Sequence, residues 1–362
     1  MRPPTLSHVL ALSDDTGIIQ HATYDVPNRS TGYCTDDVAR AFIVALQAAA
    51  YPQQREEALQ LARTYLSFLH DAQLPDGRFR NFMSYQQEWL EDVGSDDSFG
   101  RALWALGFGM SRAPLESWRT LCREMLERAL ACIPRLEWIH SRAYATLGLV
   151  YALESERAPQ TMKSALRALA DRFVSDFRRC DDGRSWRWYE DVLTYDNARL
   201  CEAVIRAGMA LGDATCVDVG LSTLRFLESL TFEGDRFVPI GNQGWYRRGG
   251  NRARFDQQPL EAAAMVDAEL AAYAATQSPE RLRRAEDSFS WYLGRNDRGE
   301  SLVRDGGCCD GFSESALNTN MGAESTLARL SSAFALAEAQ TASVSKYPSD
   351  DRRNRGSERR PA

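Results

Sequence analysis

The sequence repeats itself six times, and this limits its folding more than any other feature. A two-residue step ending in Arg or Glu recurs at 39–40, 100–101, 141–142, 198–199, 260–261 and 323–324. Each step opens an Ala-rich stretch, such as VARAFIVALQAAA, SRAYATLGLVYAL or LEAAAMVDAELAAYA. The charged members Arg40, Arg101, Arg142, Arg199, Glu261 and Glu324 are 61, 41, 57, 62 and 63 residues apart. Spacing of that size is one helix pair per repeat. After each Ala-rich stretch comes a more polar one, such as LESWRTLCREMLERALACI at 115–133. Its apolar residues recur at three and four, the mark of one buried face. The Ala-rich stretches are apolar nearly all round, so they pack on several sides.

Alternating helices of these two kinds form an inner and an outer ring. The predicted fold is therefore all-α, an (α/α)6 toroid, with short β-hairpin loops on one face. Five polar helices follow the six inner ones, and the segment 3–12 is expected to fill the sixth outer place. Links from inner to outer helix are short, as at Ala50-Tyr51-Pro52. Links back are long and carry turn signals, including Asp76-Gly77, Asp182-Gly183 and Gly234-Asp235, which predict hairpins. Long loops on one face are where a site is expected.

Composition narrows the classes. At 362 residues with 44% hydrophobic and 26% charged, the chain has ordinary globular proportions. The expected division is a single toroid over 1–342 and a disordered basic tail over 343–362. The tail carries six Lys or Arg against three Asp or Glu, which leaves the body strongly acidic within a net charge of −7. An acidic body argues against nucleic-acid binding. No run of eighteen apolar residues is present to span a membrane, and residues 1–20 do not read as a signal peptide. The eight Cys have no CxxC spacing, which points to a reducing, cytoplasmic setting. The four scattered His include no HExxH, so no metal and no cofactor are expected.

Acidic residues crowd where the long loops enter the inner helices. Asp36, Asp37, Asp97 and Asp196 are the candidate catalytic carboxylates. Asp37 and Asp196 share one repeat position, Asp36 and Asp97 another. Tyr33, Arg40, Trp186, Trp188, Tyr189, Glu190, Asn197, Gln257, Gln258, Asn320 and Glu324 are candidate substrate-binding residues, with Asn318 beside them. Carboxylates can act as acid, base or nucleophile, aromatic faces stack on sugar rings, and amides hydrogen-bond hydroxyls, so the mixture fits a carbohydrate. Structural roles compete. Asp in a first helical turn also serves the dipole and the cap, and Asp36–Arg40 and Asp97–Arg101 are i,i+4 pairs. Glu324–Arg40 and Glu261–Arg199 are candidate ion pairs between neighbouring helices. The Trp186–Asp191 cluster reads as a sugar platform. His21 and His140 read as packing or capping residues.

The repeat, the length and the loops resemble the six-hairpin glycosidase superfamily. The blocks GYCTDDVARA (32–41), DDSFGRALWALG (96–107), WRWYEDVLTYDNARL (186–200), FDQQPLEA (255–262) and NTNMGAESTLA (318–328) resemble a bacterial family usually labelled glycosyltransferase or glycosidase-like. The resemblance spans about residues 17–340. It implies a module often fused to a glycosyltransferase or encoded near mannoside-processing enzymes. That family's first block often reads DDNARA, whereas Val38 stands here.

A sugar-nucleotide transferase needs a DxD metal site or a glycine-rich phosphate loop. The chain has no Asp-x-Asp, GxGxxG after a strand or GxxxxGK[ST]. The expected function is therefore a glycoside hydrolase-like or phosphorylase-like enzyme using paired carboxylates on an oligosaccharide, a mannoside among the candidates. The arginines would tune carboxylates or accept phosphate. The alternative is a noncatalytic glycan-binding or scaffold module partnering a glycosyltransferase. A sugar epimerase ranks last, since such enzymes generally need a His pair in the cavity.

Overall fold

The computed structural model describes residues 4–346. Six inner helices form a closed ring: α2 (Thr35–Ala48), α4 (Asp96–Arg112), α6 (Ile139–Leu153), α8 (Asn197–Leu211), α10 (Pro259–Thr276) and α12 (Ala323–Lys346). Each packs on the next, and α12 packs back on α2. Outside them lie α3 (Arg55–Ala72), α5 (Glu116–Ala129), α7 (Gln160–Cys180), α9 (Ala214–Thr231) and α11 (Pro279–Ser290). The fold is the expected all-α (α/α)6 toroid.

Residue size explains the inner ring. From Ile139 to Val150 every residue of α6 is buried, and α10 is buried continuously from Pro259 to Ala272. Small residues let the backbones approach closely. A Cβ at Gly107 of α4 would lie 1.8 Å from the Gly148 carbonyl oxygen of α6, and one at Gly148 would lie 2.3 Å from that of Leu103. Outer helices bury one face only. In α5 that face is Trp118, Cys122, Met125, Leu126 and Ala129, at the helical spacing of three and four. Ser95 caps α4 by accepting from the Ser98 N–H, and Asp213 caps α9 by accepting from that of Cys216.

The sixth outer place is filled by α1 (Ser7–Leu12), which packs against α12. It buries Val9 and Leu12, and its His8 Nε2 lies 2.8 Å from the Met321 carbonyl oxygen. The Leu6 N–H donates to Gln54 Oε1, and Gln54 Nε2 donates to the Pro4 carbonyl. At the other end, α12 runs through Lys346, beyond the expected boundary at 342. The rest of the expected tail, 347–362, lies outside the described residues, as do residues 1–3.

The long loops carry five two-stranded antiparallel ladders. β1 (Ala22–Thr23) pairs with β2 (Val26–Pro27), β3 (Tyr33–Cys34) with β4 (Phe82–Met83), and β5 (Val192–Leu193) with β8 (Tyr246–Arg247). β6 (Phe232–Glu233) pairs with β7 (Arg236–Phe237), and β9 (Val303–Arg304) with β10 (Gly307–Cys308). The β6–β7 turn is Gly234-Asp235, with Gly234 at φ +68°, the left-handed conformation a tight hairpin requires. Two ladders join loops distant in sequence, so the loop face is knitted across repeats. No described helix is long and apolar enough to cross a membrane.

Candidate active site

A cavity of about 610 Å³ opens on the loop face. Five stretches line it: the first hairpin, the start of α2, the Asn81–Phe82 end of β4, Gln258 before α10, and the loop 310–325 leading into α12. The expected residues brought together on it are Asp36, Asp37, Arg40, Gln258, Asn318, Asn320 and Glu324.

Arg40 organises the floor. Its Nη1 donates to Asp37 Oδ1 at 2.8 Å and its Nη2 to Glu324 Oε2 at 2.7 Å. One guanidinium therefore spans two carboxylates from helices at opposite ends of the chain. Burial raises the Asp37 carboxyl, Arg40 opposes this, and the charges of Glu324 and Asp36 add to the rise, leaving it pushed up to about 6. The thiol of Cys34 donates to Asp37 Oδ2 at 3.2 Å. Glu324 is the open partner, with its side chain 45% exposed. Asp310 is also raised by burial, though Oδ1 accepts the Gly322 N–H at 2.9 Å.

Behind this floor lies a buried charged chain. Arg101 Nε lies 3.1 Å from Asp36 Oδ1, while Nη2 donates to Asp196 Oδ2 at 3.2 Å and to the Tyr144 hydroxyl at 2.7 Å. The Tyr144 hydroxyl donates to the same Asp196 oxygen at 2.7 Å. Asp196 is fully buried. Burial pushes its carboxyl up, but Arg199 and Arg101 outweigh that and hold it below its ordinary value. Glu261 accepts the Asp196 backbone N–H. Burial, then the charge of Asp196, pushes it up to about 8.

Several expectations need correction. Arg40 pairs with Asp37 rather than Asp36, and Arg101 reaches across to Asp36 and Asp196, so the two i,i+4 pairs do not form. The Glu324–Arg40 pair forms, but Arg199 binds Glu202 and Asp267 instead of Glu261. Asp196 lies sealed beneath the cavity. Asp97 is set apart, accepting from the Tyr195 hydroxyl, and Tyr195 stacks on His140 at 4.2 Å between ring centroids.

The sugar platform at 186–191 is core instead. Trp186, Trp188 and Tyr189 are 2% or less exposed and pack against Phe226, Phe173 and Phe177. Of the two acids that follow them, Asp191 stays in solvent, whereas partial burial raises the Glu190 carboxyl above its ordinary value. Tyr33 is also buried, its hydroxyl donating to Asp14. Asn197 closes onto Thr194 N–H and carbonyl, and Gln257 bonds Asp297 and Trp291. These three therefore hold loops in place and do not line the cavity.

Sequence reasoning missed Asp310, Asn28, Asn81 and Phe82 on the lining, and gave His21 a packing role although it lines the cavity and is exposed. None sits at the repeat position. The β3–β4 ladder and the hydrogen bond from the Tyr24 N–H to Asn320 Oδ1 bring them in. Among the described residues no cluster of three or more His, Cys, Asp or Glu is arranged to hold a metal ion.

Solved structures share this architecture. A D-mannose isomerase aligns over 91% of this chain and 93% of its own, at TM-score 0.72 and 8% identity. Cellobiose 2-epimerase from Bacillus thermoamylovorans B4167 aligns over 92% and 96%, at 0.69 and 13%. A GH76 alpha-mannanase from Bacteroides thetaiotaomicron aligns over 94% and 95%, at 0.65 and 11%. At these identities the likeness is one of fold, the (α/α)6 toroid. No protein-family model and no curated sequence matches the chain.

Proposed function

We propose that the protein is a carbohydrate-active enzyme that hydrolyses a glycosidic bond in an oligosaccharide, with Asp37 as proton donor and Glu324 as the second carboxylate. The observation that carries this is the Arg40 bridge. It holds two carboxylates of unequal environment within one guanidinium's span, in one cavity. Asp37, raised to about 6, keeps its proton in mildly acidic solution and can give it to the leaving oxygen. Glu324, more exposed and held by Arg40, can take the second role, attacking the anomeric carbon or activating water. If Glu324 attacks, water later releases the sugar from it and gives its proton to the Asp37 carboxylate; if Glu324 activates water directly, Glu324 takes that proton itself. Solved toroids acting on carbohydrates, the mannanase among them, support the substrate class by analogy of fold.

Phosphorolysis is disfavoured. Both terminal nitrogens of Arg40 are committed to carboxylates, and Arg101 and Arg199 are buried in ion pairs of their own. The phosphate-accepting role expected of these arginines therefore finds no unpaired guanidinium among the described residues of the cavity wall.

One observation favours a second reading, sugar epimerisation or isomerisation. His21 lines the same cavity, and the fold is shared with a cellobiose 2-epimerase and a mannose isomerase. His140, the other candidate for a pair, is buried against Tyr195 instead. A single experiment separates the readings: incubation with manno-, gluco- and galacto-oligosaccharides in deuterium oxide, read by mass spectrometry. Shortened sugars lost in Asp37→Asn and Glu324→Gln support hydrolysis. An unshortened sugar gaining one carbon-bound deuterium supports epimerisation. Binding with neither product leaves a noncatalytic glycan-binding module.

A further inference from the structure

Four asparagines line the cavity beside its carboxylates, and all are anchored in the same way. Asn28 Oδ1 accepts from the Ser30 N–H at 3.2 Å and the Ser30 hydroxyl at 2.7 Å. Asn81 Oδ1 accepts from the Asp36 N–H at 3.3 Å, Asn318 Oδ1 from the Asn320 N–H at 3.2 Å, and Asn320 Oδ1 from the Tyr24 N–H at 2.9 Å. A backbone N–H can only donate, so each amide oxygen is fixed to the backbone and the orientation of each amide follows. The four Nδ2 groups make no hydrogen bond to any described residue. The cavity thus offers four donor-only ends as well as acceptor-only carboxylates. Phe82 adds an apolar ring, 42% exposed, on a strand held by the β3–β4 ladder.

Charge decides what such a wall accepts. Asp36, Asp37, Asp310 and Glu324 share the cavity with one guanidinium, Arg40, which two of them already occupy. A sugar hydroxyl donates and accepts, so it can serve both kinds of wall. A carboxylate or phosphate only accepts, and brings negative charge towards four carboxylates.

We propose that the cavity selects uncharged sugars, with Asn28, Asn81, Asn318 and Asn320 donating to their oxygens and Phe82 packing on the ring, and that it excludes carboxylated and phosphorylated sugars. This rests on the reading that the ligand is a carbohydrate, but not on which reaction follows.

The test is binding of monosaccharides, which have no glycosidic bond to cleave, to the full chain by NMR titration. Mannose, glucose, N-acetylglucosamine, glucuronate and glucose 6-phosphate are compared at pH 7.5, above the ordinary imidazole range. Neutral sugars are expected to bind at least tenfold more tightly than both acids. Asn28→Asp and Asn318→Asp keep the anchored oxygen and suit the same turns, yet remove the donor. Each is expected to weaken neutral-sugar binding about fivefold, as is Phe82→Ala, with melting curves unchanged. Equal or tighter binding of the acids, unchanged binding in both Asp variants, or no binding of any of the five overturns the proposal. Selective binding without turnover would sink the hydrolase reading and leave this one standing. Turnover without selectivity would do the reverse.

Discussion

Arg40 gives the clearest residue-scale consequence. A proton donor must carry its proton, so hydrolysis is expected to fall as pH rises through about 6, the position to which burial and neighbouring carboxylates bring Asp37. Arg40 pulls that value down, so Arg40→Met should move the alkaline limb of kcat/KM to higher pH while lowering the maximum. An unmoved limb would remove Asp37 from the acid role.

Glu261 makes a stability prediction of opposite sign to the usual carboxylate. Its value is raised to about 8, so the folded state binds its proton more tightly than the unfolded one. Stability is then lost as pH rises from about 4.5 towards 8. Glu261→Gln keeps an oxygen for the Asp196 N–H and removes the ionisation. The variant should lose less stability across that window, with a gap on the order of 3 kcal/mol by pH 8, measured by urea unfolding at several pH values.

Among the elements, the closest contact is α4 on α6. Gly107→Ala sets a methyl 1.8 Å from the Gly148 carbonyl oxygen, which neither backbone can accommodate without moving. A loss of about 3 kcal/mol or more is expected, whereas Ala at Gly183, with open space around its Cβ position but φ +70°, should lose only about 1 kcal/mol through strain. Thermal melts of the two variants check the contrast. The inner helices were legible in the sequence because an all-round apolar, Ala-rich stretch has one physical meaning. The same alignment marked their N-termini, and so found Asp36, Asp37, Arg40 and Glu324. Aromatic content was a poorer guide: Trp186, Trp188 and Tyr189 read as a sugar platform, but their rings fill the space between α7 and α9. Asn28, Asn81 and Asp310 were not legible, since strand pairings and loop contacts between distant segments decide where they lie.

For the whole molecule, ring closure falls to its shortest helix. α1 covers α12 with Leu6, Val9 and Leu12 buried. Removing residues 1–12 exposes that face and strands Gln54, which bonds Leu6 and Pro4. The truncated chain should melt at least several degrees lower and lose binding at the cavity before it loses helical signal on heating. Retention of full stability would show that α12 needs no cover.

The Arg40–Glu324 bridge joins positions 284 apart in sequence. Such a contact is among the last that a folding chain can afford, because nearly the whole polymer must first be gathered before its two ends meet. The cavity is lined by residues from both sides of that span, so its wall is complete only when the seam closes. During refolding, helicity should therefore return ahead of ligand affinity. A chain that stops short of α12 would lack Glu324 and so could not close the bridge to Arg40.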